Sequence, residues 1–382
     1  MASVRCDGME SFPDKADGYN FTTCDGMTLF QRNGREYMNM MGALDALQVA
    51  GVTARVGKDR LTPVTNWRGY CSKHNFAGGA TNNNDNAVAG YKFEKMNASA
   101  KKDVNDKVGL QNINEILYGV QAYKSYFWFG DYMLALGAGV TNLSTDIEGE
   151  IRTSIEQTSK ENAVYLWSNG NKISLGFGSG ALTSSSEENL SWIIQQDKFA
   201  YTVLPAFTKN AFYTIENRKT DWVEMNIANK KAKNAPKSAN VLHIGINHGD
   251  RPVNDTYGYV VYAGKDMPAK DIPFRVLRND TMIQAAASKN KKVIEAVFYN
   301  ISESLEITPQ STLSVSAPCV VLLEKEGNSW NISITDAEMN PELNSITVLF
   351  NNSAYNIDMP KGEWTGKPVR ALLSYNNLVK YL

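Results

Sequence analysis

At 382 residues the chain exceeds one ordinary core, so two domains is the default expectation, with a large β-sandwich as the main exception. Hydrophobic residues at 43% and charged residues at 21% describe a globular protein, and 39 Lys plus Arg nearly cancel 40 Asp plus Glu, so nothing in the charge favours nucleic acid. No apolar run approaches the roughly 18 residues that cross a bilayer, and the 18 Tyr, 14 Phe and 7 Trp suit wide sheets and sugar-stacking surfaces alike.

The first residues, MASVRCDGMESF, lack a basic region followed by an apolar one, so no signal peptide is read here. Because the chain opens within sequence of structured character, the expectation is a piece of a longer secreted or periplasmic protein. Cys6, Cys24, Cys71 and Cys319 are widely spaced and form no CxxC pair, which points to neither a zinc site nor a redox motif.

Along the first sixty residues short apolar segments alternate with turn formers. Asn33-Gly34 lies between MTLFQ and EYMNMM, and a type I′ turn needs positive φ at both central residues, so a β-hairpin is expected there. From Leu61 to Gly90 the chain is rich in Gly and Asn, and a loop with so little side-chain bulk lets a ligand come close to the backbone. Trp67, Arg68, His74 and Asn83 in this stretch are the candidate substrate contacts. The run Asn82-Asn83-Asn84-Asp85-Asn86 offers oxygen ligands to a hard cation, yet it carries one carboxylate at no recognised spacing and reads as a polar loop. A structural calcium ion is left open, and no cofactor is called for.

The segment Lys124 to Asn142, KSYFWFGDYMLALGAGVTN, is the centre of the reading. Apolar side chains fall on both faces of the pleat on either side of Gly130-Asp131, which predicts a mostly buried hairpin in a large sheet. GEIRTSIEQT, 149 to 158, alternates as a half-exposed strand should. ENAVYLWSNGNKISL carries another Asn-Gly turn at 169 and 170, and SWIIQQDKFAYTVLP continues the series of strands. Residues 217 to 238 hold six Lys or Arg against two acids, read as a solvated loop or as a basic rim facing an anionic polymer. VLHIGINHGDRPVNDTYGYVVYAG gives two more strands. After Arg278 the strands shorten into a separate compact unit. Strand after strand without a period of 3.6 predicts an all-β chain, with a domain boundary near residue 280.

Motifs for other chemistries are missing from the sequence. No GxSxG elbow occurs, Gly176-Phe177-Gly178-Ser179-Gly180 lacks the GxGxxG pattern and a βαβ context, and neither HExxH nor an EF-hand loop is present. His248, in NHGDRP, is followed closely by Tyr257, Tyr259 and Tyr262, a cluster that either presents acid and base groups or only fixes a loop.

Taken in order, the segments 26 to 55, 74 to 91, 124 to 142, 151 to 158, 246 to 264 and Ile283-Gln284-Ala285 resemble the C-terminal half of polysaccharide lyase family 8, the chondroitin, hyaluronate and xanthan lyases. The Lys124 to Asn142 hairpin is the most specific match. The resemblance implies an antiparallel multi-sheet super-sandwich over residues 1–280 and a small C-terminal β-sandwich over 281–382. In such lyases an α/α toroid precedes the sandwich and carries most of the catalytic groups, so a toroid partner and an acidic glycosaminoglycan substrate are implied, with no nucleic acid and no membrane.

One family glutamate reaches the cleft from just upstream of an Asp-Gly-x-Thr strand. Here that strand is Asp25-Gly26-Met27-Thr28, and Glu10 stands where the glutamate is expected. The chondroitin AC type has Asn three residues further on, where this chain has Pro13, a departure that points toward the broad-specificity ABC type or a divergent member. The implied activity is β-elimination on a uronic-acid polymer. The alternatives are a non-catalytic carbohydrate-binding or scaffold module with the same fold, or an enzyme with its own site around His248.

Overall fold

The computed structural model describes residues 2–4, 22, 25–40, 42–61, 70–82, 86–97, 114–222, 236–374 and 379–381. The expectation of an all-β chain holds: the structure is 54% strand, the sheets are antiparallel, and no helix of seven or more residues occurs among the described residues. None of those residues forms a helix long and apolar enough to cross a membrane. The chain divides into two compact units, Met1–His74 with Phe93–Ala122 and Val140–Asp266, and Asn75–Lys92 with Tyr123–Gly139 and Met267–Leu382.

In the first unit one sheet runs, in hydrogen-bonded order, Asn171–Leu175, Val164–Ser168, Trp192–Gln195, Ala200–Val203 and Asp255–Tyr262. A second runs Gly178–Ala181, Ala211–Lys219, Ser238–Gly249, Ile151–Ser159 and Thr53–Arg55. The Asn169-Gly170 turn forms as expected: φ is +50° and +77° at the two residues, and Ser168 pairs with Asn171 across it.

Asn33-Gly34 behaves differently. Gly34 has φ +78°, but residues 36 to 39 are turn rather than strand, so no hairpin forms. The Glu36 carboxylate, held by Lys198, accepts from the N–H groups of Arg32 (3.0 Å) and Asn33 (3.3 Å), donors that a strand ladder would otherwise use. Strand Ile151–Ser159 also departs from expectation. It is buried along nearly its whole length, not half-exposed, and its inward and outward polar residues all find partners, as a buried polar group must.

The predicted central hairpin is present as Val120–Phe129 and Tyr132–Asn142, with Tyr123–Gly139 in the second unit, turning at Gly130 with φ +59°. Apolar residues on both faces are buried, as the pattern required. Its Ser125 hydroxyl donates to Gln284 Oε1 at 2.5 Å. Tyr299 Oη lies 2.9 Å from the same oxygen and 2.8 Å from the Lys124 carbonyl, while Gln284 Nε2 donates to Asn279 Oδ1 at 2.8 Å. Two of the segments that marked the family resemblance therefore meet in one buried, neutral hydrogen-bonded knot.

The rest of this unit is a β-sandwich. A seven-stranded sheet, beginning at Phe274–Asn279 and ending at Val379–Tyr381, and a four-stranded sheet of Leu305–Thr308, Ser311–Val315, Ser345–Phe350 and Ser353–Asp358 share one core. Ile283, Val321, Leu323, Leu313, Ile346 and Val348 are fully buried in it, each contributing roughly 1.5–3 kcal/mol.

Candidate functional site

His74 leads out of the edge made by Tyr70–Ser72, which pairs with Asn86–Asn97 through Tyr70↔Asn97 and Ser72↔Lys95. Asp25–Thr28 is tied to this edge by a buried ion pair between Lys95 and Asp25. Lys95 shares the inward parity of Tyr91 and Phe93 on its strand, so a cation there needs an internal partner, and Asp25 is that partner.

Just beyond Ser72 the chain turns outward. Ser72 Oγ accepts from the backbone N–H of His74 (3.3 Å) and of Glu94 (3.2 Å), which fixes the turn. His74 Nε2 lies 3.0 Å from Glu94 Oε2, and Lys73 Nζ donates to Glu94 Oε1 at 3.1 Å. The His74 side chain remains 27% exposed. A carboxylate only accepts, so Nε2 carries the hydrogen. Chemically, this edge presents an oriented imidazole and an exposed ammonium to solvent, an arrangement suited to holding an anionic group.

Of the other sequence candidates, Glu10, Trp67, Arg68 and Asn83 lie outside the described residues, as do Asn84, Asp85 and Pro13, so His74 alone is placed. Most of the lysine-bearing stretch 217 to 238 lies outside them too, its middle spanning 223–235. Glu94, Lys73, Asp25 and Lys95 were not singled out from the sequence. A lysine on the buried parity of a strand was the one available signal.

The His248 cluster is resolved in full. Its Nδ1 pairs with Asp255 at 2.7 Å and its Nε2 lies 2.9 Å from Thr153 Oγ1, which in turn lies 2.8 Å from Thr53 Oγ1. The imidazole is fully buried, and Tyr257 and Tyr259 are core residues. Burial would raise the Asp255 carboxyl, but the hydrogen bond from His248 outweighs it and lowers the pKa. A hydroxyl with no access to solvent attacks no substrate, so the chain Asp255-His248-Thr153-Thr53 locks the loop. Asn142 adds to this lock by donating to the carbonyls of Asp250 and Pro252.

A further cluster lies inside the first unit. Tyr37 and Tyr201 hydroxyls approach Glu156 Oε1 and Oε2 at 3.0 and 2.9 Å, and burial pushes this carboxyl up to about 7 against those hydrogen bonds. Beside it Lys198 bridges Glu36 and Glu161, each at 2.9 Å. Burial alone would raise Glu36, but hydrogen bonds from Lys198 and from the backbone hold it at about 2. Gly176 to Gly180 forms no cradle: Gly176 and Gly178 face open space, and Gly180, on the edge strand Gly178–Ala181, lies against the Tyr213 ring.

The polysaccharide lyase family 8 super-sandwich domain matches residues 1–270, and the C-terminal beta-sandwich domain of the same family matches residues 275–343. Chondroitinase-AC of Pedobacter heparinus is 25% identical over 358 residues, 90% of this chain and 45% of that protein. Among solved structures, a chondroitinase AC lyase described with oligosaccharide complexes is similar in fold at TM-score 0.76 and 22% identity, over 97% of this chain and 50% of its own. A Paenibacillus xanthan lyase is similar at TM-score 0.71 and 19% identity, over 100% of this chain and 34% of its own. The chain thus spans half or less of the length of each of these relatives.

Proposed function

The chain belongs to polysaccharide lyase family 8, and on that premise we propose that it is the β portion of a lyase that cleaves a uronic-acid-containing glycosaminoglycan, of the chondroitin sulfate or hyaluronan type, by β-elimination. The observation that carries this reading is the collinear match of both family domains along 1–270 and 275–343, together with 25% identity to a chondroitinase over 90% of this chain. A division near residue 280 into a super-sandwich domain and a small β-sandwich domain belongs to the same proposal, supported by the point at which those two matches meet.

In the elimination a base removes the C5 proton of the uronate, the C4–O glycosidic bond breaks with its electron pair leaving on oxygen, and a C4=C5 double bond forms. The C5 proton is weakly acidic while the neighbouring carboxylate is charged, so that charge must first be neutralised. In this proposal an α/α toroid supplies the base and the neutralising groups. Glu10 orients them by hydrogen bonding and takes no proton itself, so its loss lowers the rate without altering the product. Trp67, Arg68, His74 and Asn83 contact the polymer, with the 61% exposed Lys73 ammonium beside His74 able to donate to a uronate or sulfate. A polymer of this size is met outside the cell or in the periplasm, and we place the whole protein there.

The test is complementation. The chain is incubated with chondroitin sulfate and with hyaluronan, alone and with a family 8 toroid half, and the ultraviolet absorbance of the unsaturated product is followed. Cleavage is expected only in the complemented mixture. Activity of the isolated chain sinks the division of labour proposed here, and sugar binding without cleavage in either mixture favours a non-catalytic carbohydrate-binding module.

A further inference from the structure

Three hairpin turns of the C-terminal sandwich converge on one cleft of about 490 Å³, which falls in the roughly 300–1,000 Å³ range of small-ligand sites. They are the turns between Ile283–Ser288 and Val293–Phe298, between Leu305–Thr308 and Ser311–Val315, and between Cys319–Glu326 and Ser329–Thr335. Loops gathered at one end of a sandwich are where such folds place binding sites, because the sheets hold the loop ends rigid. The floor is apolar, formed by Ile294, Ile307 and the indole of Trp330. The rim carries Lys291, Lys292 and Lys325 and no carboxylate.

The backbone behind this rim is well fixed. Lys291 sits at φ +56°, and its N–H donates to the Ser288 carbonyl at 2.8 Å. Lys292 N–H donates to both Ser288 Oγ (3.1 Å) and Asn290 Oδ1 (3.0 Å), and Lys325 N–H donates to the Lys292 carbonyl at 2.8 Å. Lys325 is the cross-strand partner of Trp330, whose ring is set edge-on by Phe350 at 5.2 Å. None of the three lysines is ion-paired with a described residue, and the adjacent Glu326 accepts from Asn331 at 2.8 Å. Three ammonium groups around an indole, with the hydroxyls of Thr308 and Ser311 at the wall, suit a ligand with C–H faces, hydroxyls and negative charge together.

We propose that this cleft binds a short stretch of an acidic polysaccharide as a docking site. The choice of polymer rests on the lyase reading above. A second grip on one chain raises the effective concentration of its other segments without adding any contact at the reacting sugar.

The experiment is calorimetric titration of the full chain with hexasaccharides of chondroitin sulfate, of unsulfated chondroitin and of neutral chitin, and with a single-stranded DNA oligonucleotide of matched charge. Both acidic sugars are expected to bind, with the neutral one and the DNA at least about tenfold weaker. A clear preference for the sulfated sugar assigns the lysines to sulfate esters, and equal affinity assigns them to uronate. The triple variant Lys291→Glu, Lys292→Glu, Lys325→Glu is expected to lose about tenfold, since an exposed ion pair is worth roughly two- to fivefold in affinity. These side chains are exposed, so thermal unfolding of the variant should be unchanged. The control variant Lys172→Glu, Lys209→Glu, Lys265→Glu reverses as much charge in the other unit and should bind as the parent does.

Equal binding of the neutral sugar or the DNA, an equal loss in the control, or no binding of any sugar overturns the inference. Cleavage by the complemented enzyme is read separately. Cleavage without cleft binding ends this inference alone, and cleft binding without cleavage ends the lyase reading alone.

Discussion

Two buried polar clusters, one in each unit, are built in opposite ways. In the first, Glu36, Lys198, Glu161, Glu156, Tyr37 and Tyr201 form a buried cluster with ionisable members at its centre, while in the second Ser125, Gln284 and Tyr299 form a knot that never changes charge. Glu36 and Lys198 side chains are 1% and 3% exposed, so each depends on the other for its charge to be tolerated. The neutral knot only has to satisfy donors and acceptors. The first cluster should therefore respond to pH and to single charge removal, and the neutral knot to neither.

Lys198→Met is the hardest blow to that contrast. It leaves Glu36 buried without its cation and should cost about 3–5 kcal/mol in denaturant unfolding at neutral pH. Adding Glu36→Gln should recover most of the loss, and a single-variant cost below about 1 kcal/mol would show that water reaches the pair.

Next in size are the opposed pH dependences of the two glutamates. Glu156 has its folded pKa raised from 4.5 to about 7, so the folded state binds its proton more tightly. Its contribution is complete below pH 4.5 and is lost as pH rises through 7. Glu36 is lowered from 4.5 to about 2, so its contribution is present above 4.5 and is lost as pH falls through 2. Glu156→Gln should remove the fall in stability between pH 4.5 and 7, a slope of up to about 1.4 kcal/mol per pH unit, and leave the acid limb intact. Parallel profiles for parent and variant would contradict this assignment.

Tyr299→Phe, in the neutral knot, deletes a hydroxyl that contacts Ser125, Gln284 and the Lys124 carbonyl. A loss of about 1–3 kcal/mol is expected, unchanged between pH 5 and 8. A pH-dependent loss would mean that the knot is coupled to a titrating group. At the surface end of the scale, Lys73→Ala removes an ammonium that is 61% exposed from Glu94 and should shift stability by less than about 1 kcal/mol.

Legibility followed the range of the forces involved. The same dipeptide occurs at 33–34 and at 169–170 with opposite results. At 169–170 both φ values are positive and the flanking residues pair with each other, so local geometry was sufficient. At 33–34 the outcome depends on Lys198, which donates to Asn33 Oδ1 at 3.0 Å and to Glu36 Oε1 at 2.9 Å from more than 160 residues away. No pattern within a short window carries that information. His248 shows the same limit: its neighbourhood in sequence suggested acid and base groups, but its partners Thr153 and Asp255 and its complete burial make it a structural lock. Within the candidate site, His74 was legible from its loop, whereas its orientation by Glu94, twenty residues on, was not.

By itself the sequence determined the strand-rich class and the central hairpin from Lys124 to Asn142, because side-chain alternation and turn chemistry act over a few residues, and its collinear segments carried the resemblance to the family. Only the tertiary structure decided that Ile151–Ser159 is covered on both faces, that Lys95 finds Asp25, and that three distant turns bring Lys291, Lys292 and Lys325 around Trp330. Burial of a strand face and the partner of a charge are set by whichever segment packs there, and that segment is remote in the chain.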